Sequence, residues 1–265
     1  MLNLNNITHI FGLGTVNENT VLRGLNLTIN EGDFITVIGS NGAGKTTLYN
    51  IMAGVFIPTD GNIIFKDKDI TNMKEYKRAR IIGRIYQNPL LGTAGNMSIE
   101  QNMVLTSKKG FRGLTIGLNN KNRTSFKEHL KTLDMGLENR LKDRVGLLSG
   151  GQRQALTLLT TVMSKPSILL LDEHTAALDP ANAEAVMRLT KRFIDEYKMT
   201  AMMVTHNMQQ ALDYGNRLIM MDKGRIILDI SGTKKEQLTV PGLVTIFREL
   251  RTSMMNTDEV LLTEN

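Results

Sequence analysis

The sequence contains no cysteine and no tryptophan, and each absence narrows what the chain can do. Without cysteine it forms neither disulfides nor thiolate metal sites. Aromatic residues make up only 5% of the chain, which weakens the case for a surface that stacks nucleic-acid bases. No apolar run approaches the ~20 residues that span a bilayer, and the N-terminal sequence MLNLNNITHIFG lacks the basic start and long apolar run of a signal peptide. We therefore expect a soluble, intracellular protein.

The length and the net charge of the chain limit the number of domains and the kind of ligand that we expect. The 265 residues, 41% of them hydrophobic, are enough for one large domain or for one domain with an inserted subdomain. The formal net charge of +6 suits a ligand that carries phosphates or an anionic membrane surface. Many soluble proteins are equally basic, so the charge by itself does not select a partner.

The hydrophobic pattern predicts an α/β protein whose core is interrupted by helices. Runs rich in Val, Ile and Thr fade after residue 87 and return after residue 165. The polar, glycine-bearing stretch SKKGFRGLTIGLNNKNR (107–123) predicts a mobile surface loop. We expect a core formed by 1–87 and 166–240, a helical subdomain over 88–165 and a helical or frayed tail over 241–265.

Turn residues and side-chain periodicity place the individual elements. Strands are predicted over 2–10, 21–29, 33–39, 62–65, 168–171 and 201–205, helices over 45–54, 124–133 and 150–164, and a hairpin that joins 217–222 to 225–230.

The stretch GSNGAGKTT (39–47), here called the phosphate loop, fits the pattern G-x-x-x-x-G-K-[ST]. Its glycines let the backbone wrap tightly, so that N–H groups and the following helix N-terminus point at phosphate oxygens. Lys45 can reach the β- and γ-phosphates of a nucleotide, and the Thr46 hydroxyl can bind Mg²⁺. The alternative is a turn that merely resembles the motif. An apolar strand before the loop and an amphipathic helix after it favour the nucleotide.

A second conspicuous stretch, ILLLDEHTAALDP (168–180), runs from a buried strand into two adjacent acids. A phosphate loop needs a second acid to hold its metal, and ligands of open α/β sheets lie at strand ends. Asp172 is therefore predicted to bind Mg²⁺ beside Thr46, directly or through water. Glu173 is placed to orient and deprotonate the attacking water. The competing interpretation of the acid pair is a helix N-cap or a surface salt bridge.

The stretch LSGGQ (148–152), here called the signature segment, predicts a second anion-binding surface. Small residues at a helix start leave N–H groups unblocked, and Ser149 is placed as N-cap and hydroxyl donor. One nucleotide does not need two such helix ends from one chain. They are instead expected on opposite faces of a dimer.

Together these stretches resemble the ATP-binding subunits of ABC transporters, over residues 1–235. In that family they correspond to Walker A, Walker B and the signature motif. IYQN carries the Q-loop glutamine Gln87, AALD looks like the D-loop with Asp179, and VTHN supplies the switch histidine His206. The resemblance implies an α/β fold with a P-loop NTPase (RecA-like) core, an antiparallel β subdomain and an inserted helical subdomain.

The resemblance also implies a mechanism in which two chains sandwich two ATP molecules head to tail. Catalytic roles fall on Glu173, His206 and Gln87, and Mg²⁺ ligation on Thr46, Gln87 and Asp172. Phe11 is the candidate for stacking on adenine, although a lone aromatic residue fits the core equally well. The expected ATP-binding residues are Phe11, Gly39, Asn41, Gly42, Gly44, Lys45, Thr46, Thr47, Ser149, Gly150, Gly151, Gln152 and Asp179.

The chain departs from the family pattern at His174, where most relatives have proline. A histidine there can contact the nucleotide or add pH sensitivity, or it can simply substitute for proline in a loop. DEHTAALDP together with GNRLIMMDKGRIILD resembles a subgroup of bacterial importer ATPases. That likeness implies a substrate-binding lipoprotein, a separate permease and amino acids, aromatic ones included, as cargo.

Three functions compete at this point. The preferred one is the ATPase subunit of a transporter, bound at the cytoplasmic face of the membrane to separate permease subunits, with no nucleic-acid partner. A soluble ABC ATPase acting on DNA, ribosomes or cofactor assembly is the second, but the long coiled coils or paired ATPase units of such relatives are missing. A nucleotide-binding regulator without turnover is disfavoured because Glu173 and His206 are both present.

Overall fold

The computed structural model describes the backbone of residues 1–107 and 119–263, and side chains for 1–106 and 119–252. These residues form strands β1 (Leu2–Phe11), β2 (Asn19–Ile29), β3 (Phe34–Gly39), β4 (Asp60–Phe65), β5 (Lys68–Asp69), β6 (Ile82–Ile85), β7 (Ile168–Asp172), β8 (Thr200–Val204), β9 (Arg217–Asp222) and β10 (Arg225–Ser231). Their helices are α1 (Lys45–Ala53), α2 (Glu75–Arg78), α3 (Ile99–Ser107), α4 (Asn120–Lys131), α5 (Gly150–Met163), α6 (Pro180–Tyr197), α7 (Met208–Asp213), α8 (Thr233–Glu236) and α9 (Val240–Thr263).

Contacts divide the chain into two compact units. The first unit comprises Met1–Asn72 and Met202–Asn265, and the second comprises Met73–Ala201. The subdomain division expected from the sequence, with a helical segment over 88–165, stays a prediction.

The first unit contains an antiparallel sheet in the order β2-β1-β4-β5. In β1 the side chains of Leu2, Leu4 and Ile7 are buried, and polar residues lie between them. This alternation is typical of a strand with one face on the core. The register with β2 shifts after Leu4, where Asn6 has a φ of 52°. The sheet is the antiparallel β part of the fold that the resemblance implied.

The first unit also carries the strands that position the phosphate loop, in the order β10-β9-β3-β8. β3 pairs in parallel with β9, and β9 pairs with β10 as a hairpin. The residues of β3 are buried up to Ile38, as expected for a parallel strand covered on both faces. Thr36 is fully buried, and its hydroxyl donates a hydrogen bond to the carbonyl oxygen of Ala211 at 2.8 Å.

The second unit contains the parallel pair β6 and β7 together with helices α2 to α6. Every residue of β7 is buried, including Asp172 at its carboxyl end. Helix α5 is buried on all sides from Gln154 to Thr160, a stretch that includes Ala155, Leu156, Leu158 and Leu159. The unit therefore brings a buried strand end and the start of α5 into one compact body.

The predicted elements agree with the structure to within a few residues at most ends. α4 begins at Asn120 instead of 124, inside the predicted mobile loop; 108–118 of that loop lie outside the described residues. The tail is a 24-residue helix, α9, anchored through fully buried Leu243 in a core with Ile38 and Met220. None of the described helices is long and apolar enough to cross a membrane.

Candidate active site

The phosphate loop connects β3 to α1 and depends on glycine at two points of its path. A Cβ on Gly39 would lie 2.2 Å from the carbonyl oxygen of Met221. Gly44 has a φ of 95°, and a Cβ there would lie 2.7 Å from a methyl group of Leu22. Only glycine, which has no Cβ, therefore fits at both positions. Asn41 and Gly42 of the loop are exposed, and the dipole of α1, which begins directly after the loop, favours an anion there.

The Lys45 side chain is folded back over this loop. Its ammonium donates to the carbonyl oxygens of Gly39 at 2.8 Å and Ser40 at 2.9 Å, and the residue is only 6% exposed. A fixed positive charge inside a glycine cradle suits a polyphosphate. The residues present fit the triphosphate of a nucleotide.

A support that the sequence did not reveal holds the loop from β9. The Ser40 hydroxyl donates to a carboxylate oxygen of Asp222 at 2.6 Å, and Asp222 is only 2% exposed. The other Asp222 oxygen lies 3.6 Å from the guanidinium of Arg251 on α9. The phosphate loop is thus linked through one buried carboxylate to the C-terminal helix.

In the second unit, Asp172 ends β7 with its carboxylate in an ion pair. The Arg84 guanidinium donates to Asp172 Oδ2 at 2.8 Å, and the two side chains are 9% and 11% exposed. No group of three or more His, Cys, Asp or Glu side chains within the described parts of the chain could hold a metal. Mg²⁺ in nucleotide sites is held by one or two carboxylates plus phosphate oxygens. A single strand-end carboxylate such as Asp172 fits that mode of binding.

Glu173 follows Asp172 with a φ of 46°, in the left-handed region that non-glycine residues seldom adopt. Such conformations cost about 1–3 kcal/mol and persist where the surroundings enforce them. Next along the turn, His174 is 2% exposed, and its Nε2 lies 3.0 Å from the Thr190 hydroxyl on α6. That hydroxyl donates to Val186 O, so Nε2–H is the donor to Thr190.

Burial lowers the pKa of His174 from 6.5 to about 4. The histidine therefore lies in a turn, as expected of a substitute for proline, but its side chain is a buried neutral group packed towards α6. A neutral imidazole holds the turn that carries Glu173 through one hydrogen bond.

The signature segment opens α5 with a capping box. Ser149 Oγ accepts from the Gln152 backbone N–H at 3.2 Å, and the Gln152 side chain accepts from Ser149 N–H at 3.3 Å. The N-cap predicted for Ser149 is thus observed. A Cβ on Gly151 would lie 2.4 Å from Asn182 Oδ1, which explains the glycine.

The D-loop lies close to the signature segment in the second unit. Asp179 caps α6 by accepting from the Asn182 backbone N–H at 3.1 Å and from its side-chain amide at 2.6 Å. These bonds lower the pKa of Asp179. The same Asn182 side chain abuts Gly151, so the starts of α5 and α6 form one polar surface.

Comparison with known proteins identifies this arrangement. The family model for the ABC transporter matches residues 22–176, more than half of the chain. A tyrosine transport ATP-binding protein of Clostridioides difficile (strain R20291) is 41% identical over 248 residues, which cover 93% of this chain and 98% of that protein. This chain belongs to the ABC transporter ATP-binding family.

Solved structures agree with that assignment. A dimeric bacterial ABC transporter cassette, MJ0796, aligns with a TM-score of 0.74 and 27% identity over 87% of this chain and 98% of the other. A dimeric post-hydrolysis state of the same cassette, bound to ADP and Pi, aligns with a TM-score of 0.73 and 25% identity over the same shares. The P-loop NTPase fold expected from the sequence is confirmed, and the ABC protein is an ATP-hydrolysing subunit of importer type.

The remaining predicted site residues of the ABC ATPase lie at accessible positions. His206 follows β8 and lines a cavity of about 160 Å³ together with Gly39, Ser40 and Phe247. The first unit therefore brings the switch histidine to the phosphate loop. Gln87 is exposed just after β6. The catalytic and ligand roles of these residues stay predictions.

Phe11 belongs to an aromatic cluster at the end of β1. It is 39% exposed and packs edge-on against His9 at 4.7 Å and Phe56 at 5.5 Å between ring centroids. A fully buried core position is therefore wrong for Phe11. Its exposed part leaves room for a stacked base, and that role stays a prediction.

The stability of the fold is expected to depend on pH through His174. Because its pKa in the folded chain lies near 4 and its ordinary value is 6.5, the unfolded chain binds the extra proton first as the pH falls. His174 thus stabilises the fold above pH 6.5 and loses this contribution between pH 6.5 and 4. The loss from pH 7 to pH 5 amounts to about 2 kcal/mol in the free energy of unfolding.

Urea unfolding of the wild type and of the non-titrating variant His174→Gln measures this effect. The stability advantage of the wild type over the variant should shrink by that amount between pH 7 and pH 5. Parallel stability curves for the two proteins over this range would show that His174 does not titrate as described.

Proposed function

We propose that this ABC ATPase drives the import of an aromatic amino acid such as tyrosine through separate permease subunits at the cytoplasmic face of the membrane. The observation that carries the proposal is the 41% identity to a tyrosine transport ATP-binding protein along almost the full length of both chains. A substrate-binding lipoprotein outside the membrane is the expected source of cargo. The likeness of DEHTAALDP to importer ATPases supports the same assignment.

In the proposed cycle two copies of the chain bind two ATP molecules head to tail. The phosphate loop and Lys45 of one copy hold the β- and γ-phosphates, and Ser149 and Gly151 of the other copy close on the γ-phosphate from the opposite side. Only the γ-phosphate is shared by both halves, so its release removes the attraction that keeps them closed. The exposed positions of Ser149 and Gly150 at the start of α5 support this role.

A bound Mg²⁺ would neutralise negative charge on the phosphates of the nucleotide. Thr46, Asp172 and Gln87 are the residues proposed to hold it. Glu173, which follows Asp172 with a φ of 46°, accepts the proton of the attacking water. His206 hydrogen-bonds the γ-phosphate from the end of β8, where it already lines a cavity with the phosphate loop.

The remaining roles follow from position in the chain. Phe11, which is 39% exposed, stacks on adenine. Gln87 lies directly before the segment that carries the exposed apolar side chains of Leu90 and Leu91. Such side chains are suited to contact a partner, so the Q-loop can report permease movement to the nucleotide.

Radiolabelled tyrosine uptake by the native host tests the proposal. Deleting this gene should abolish concentrative uptake, and wild-type chain should restore it while Glu173→Gln should not. Excess phenylalanine or tryptophan should compete, whereas spermidine should not. Undiminished tyrosine uptake in the deletion strain would remove tyrosine as cargo.

Affinity purification from detergent-solubilised membranes tests the partner independently of the cargo. The tagged chain should retain a membrane-spanning protein encoded beside it. Retention of DNA or ribosomes at physiological salt, with no membrane protein, would overturn the transporter role.

A further inference from the structure

Arg84 is paired with the carboxylate that the proposed function assigns to Mg²⁺, and the pairing follows from strand register. β6 and β7 are parallel, with Arg84 opposite Leu170. Side chains of a strand alternate between faces, so Asp172, two residues beyond Leu170, lies on the same face as Arg84. The long arginine side chain spans this diagonal and places Nη2 2.8 Å from Asp172 Oδ2.

The guanidinium is held from a second side by Tyr86. The centre of the guanidinium lies 4.6 Å from the centroid of the Tyr86 ring, within the range of a cation–π contact. Tyr86 directly precedes the Q-loop residue Gln87. Arg84 is thus fixed between the Asp172 carboxylate and the start of the Q-loop.

The ion pair is largely shielded from water, with side-chain exposures of 9% for Arg84 and 11% for Asp172. A buried carboxylate that loses its partner suffers a large desolvation penalty, so it stays paired until another cation replaces the first. We propose that Arg84 is the resting counter-ion of Asp172 and competes with Mg²⁺ for this carboxylate. Arg84 thereby sets the metal affinity of the nucleotide site. The inference rests on the proposed metal role of Asp172.

A purely structural ion pair would have a different signature. Its loss would lower stability and leave the coupling between metal and nucleotide unchanged. A competing counter-ion affects that coupling, because the free energy of breaking the pair is subtracted from metal binding. Nucleotide affinity without metal separates a third role, since an arginine that binds phosphate would contribute to it directly.

The test uses the full chain, the fluorescent nucleotide mant-ADP, and either EDTA or Mn²⁺. The dissociation constant of mant-ADP is measured in EDTA and at increasing concentrations of Mn²⁺. The quantity compared between proteins is the Mn²⁺ concentration that gives half of the maximal increase in nucleotide affinity. Arg84→Met should need about tenfold less Mn²⁺ for half-maximal enhancement of nucleotide binding than the wild type. In EDTA, the double variant Arg84→Met/Asp172→Asn, which leaves no unpaired carboxylate, should bind mant-ADP as tightly as Asp172→Asn.

Two further variants keep the test decisive. Arg84→Lys retains the charge and loses the planar fork and ring contact, so its Mn²⁺ requirement should fall between the other two proteins. The matched control is Arg123→Met, which removes another arginine–carboxylate pair of the second unit, with Glu100 at 2.8 Å, and should leave the Mn²⁺ requirement unchanged.

An unchanged Mn²⁺ requirement in folded Arg84→Met, or in Arg84→Lys where the methionine variant does not fold, overturns the inference. Weaker nucleotide binding in EDTA also overturns it if the loss persists when Asp172 is replaced by asparagine as well, because Arg84 is then a phosphate ligand. Asp172→Asn tests the metal role of Asp172 separately from the counter-ion role of Arg84. If that variant keeps the full Mn²⁺ effect, the proposed metal role of Asp172 itself fails.

Discussion

Replacing Glu173 by glutamine is expected to leave ATP binding intact and to lower the hydrolysis rate by about 10²–10⁴-fold. Glutamine keeps the size of the side chain and its place after Asp172, but it cannot accept the proton of the attacking water. The γ-phosphate then persists, and the ATP-bound dimer should accumulate. Single-turnover hydrolysis and size-exclusion chromatography with ATP measure the two effects.

Glu184→Gln is the matched control for this variant. Glu184 lies on α6 with 71% of its side chain exposed and forms a surface ion pair with Arg188. The same change of charge there should leave turnover unchanged, since exposed ion pairs contribute about 0–1 kcal/mol. Wild-type turnover by Glu173→Gln would remove Glu173 as the general base.

Introducing arginine at Ser149 is expected to lower hydrolysis by about a hundredfold or more while one-site ATP binding persists. The long side chain would occupy the space in front of the start of α5. In the proposed cycle, the γ-phosphate of the partner's nucleotide lies there. The phosphate loop of the same chain is untouched. Turnover assays and mant-ATP titration under monomeric conditions measure these two properties.

Ser149→Ala separates obstruction from loss of the helix cap. It removes the hydrogen bond to the Gln152 backbone at a cost of about 1 kcal/mol in stability and adds no bulk. It should therefore retain much more turnover than the arginine variant. Loss of ATP binding in Ser149→Arg would mean that the signature segment acts on the nucleotide of its own chain.

The phosphate loop could be predicted from sequence because its parts are consecutive. A buried strand, a glycine-rich turn and a lysine at the helix start follow one another within 34–45, and each part is required by local backbone geometry. The same holds for the capping box of Ser149 and Gln152, which are three residues apart. Local hydrogen bonding of this kind leaves a clear pattern in sequence.

Contacts between distant residues left no such pattern. Arg84 and Asp172 are 88 positions apart, and β6, which carries Arg84, was not predicted because four residues containing Gly and Arg give a weak strand signal. Ser40 and Asp222, 182 positions apart, were likewise not predicted as partners. The sequence predicts the local elements that carry Ser40 and Asp172, but it does not predict which distant residues they contact.

Helix α6 was also missed, although its start carries recognisable signals. Asp179 at the N-cap and Pro180 at the first helical position are both typical of a helix N-terminus. The resemblance of AALD to the D-loop predicts a function for Asp179 and does not indicate that Asp179 is the N-cap of a helix. The burial of His174 depends on α6, because Thr190 supplies its partner.

The central claim is that the phosphate loop of one chain and the signature segment of its twin enclose one ATP. Since the chain has no cysteine, two engineered thiols can be cross-linked without background. Asn41→Cys is placed in one tagged Glu173→Gln chain and Leu147→Cys, at a 73% exposed position, in a differently tagged one. With ATP and a short bismaleimide, the mixture should give an abundant product that carries both tags, and without ATP it should give little. A separate sample contains a Glu173→Gln chain that carries both cysteines. If only this chain reacts, and its product has the size of one chain, the two segments meet within a single polypeptide and the head-to-tail dimer is contradicted.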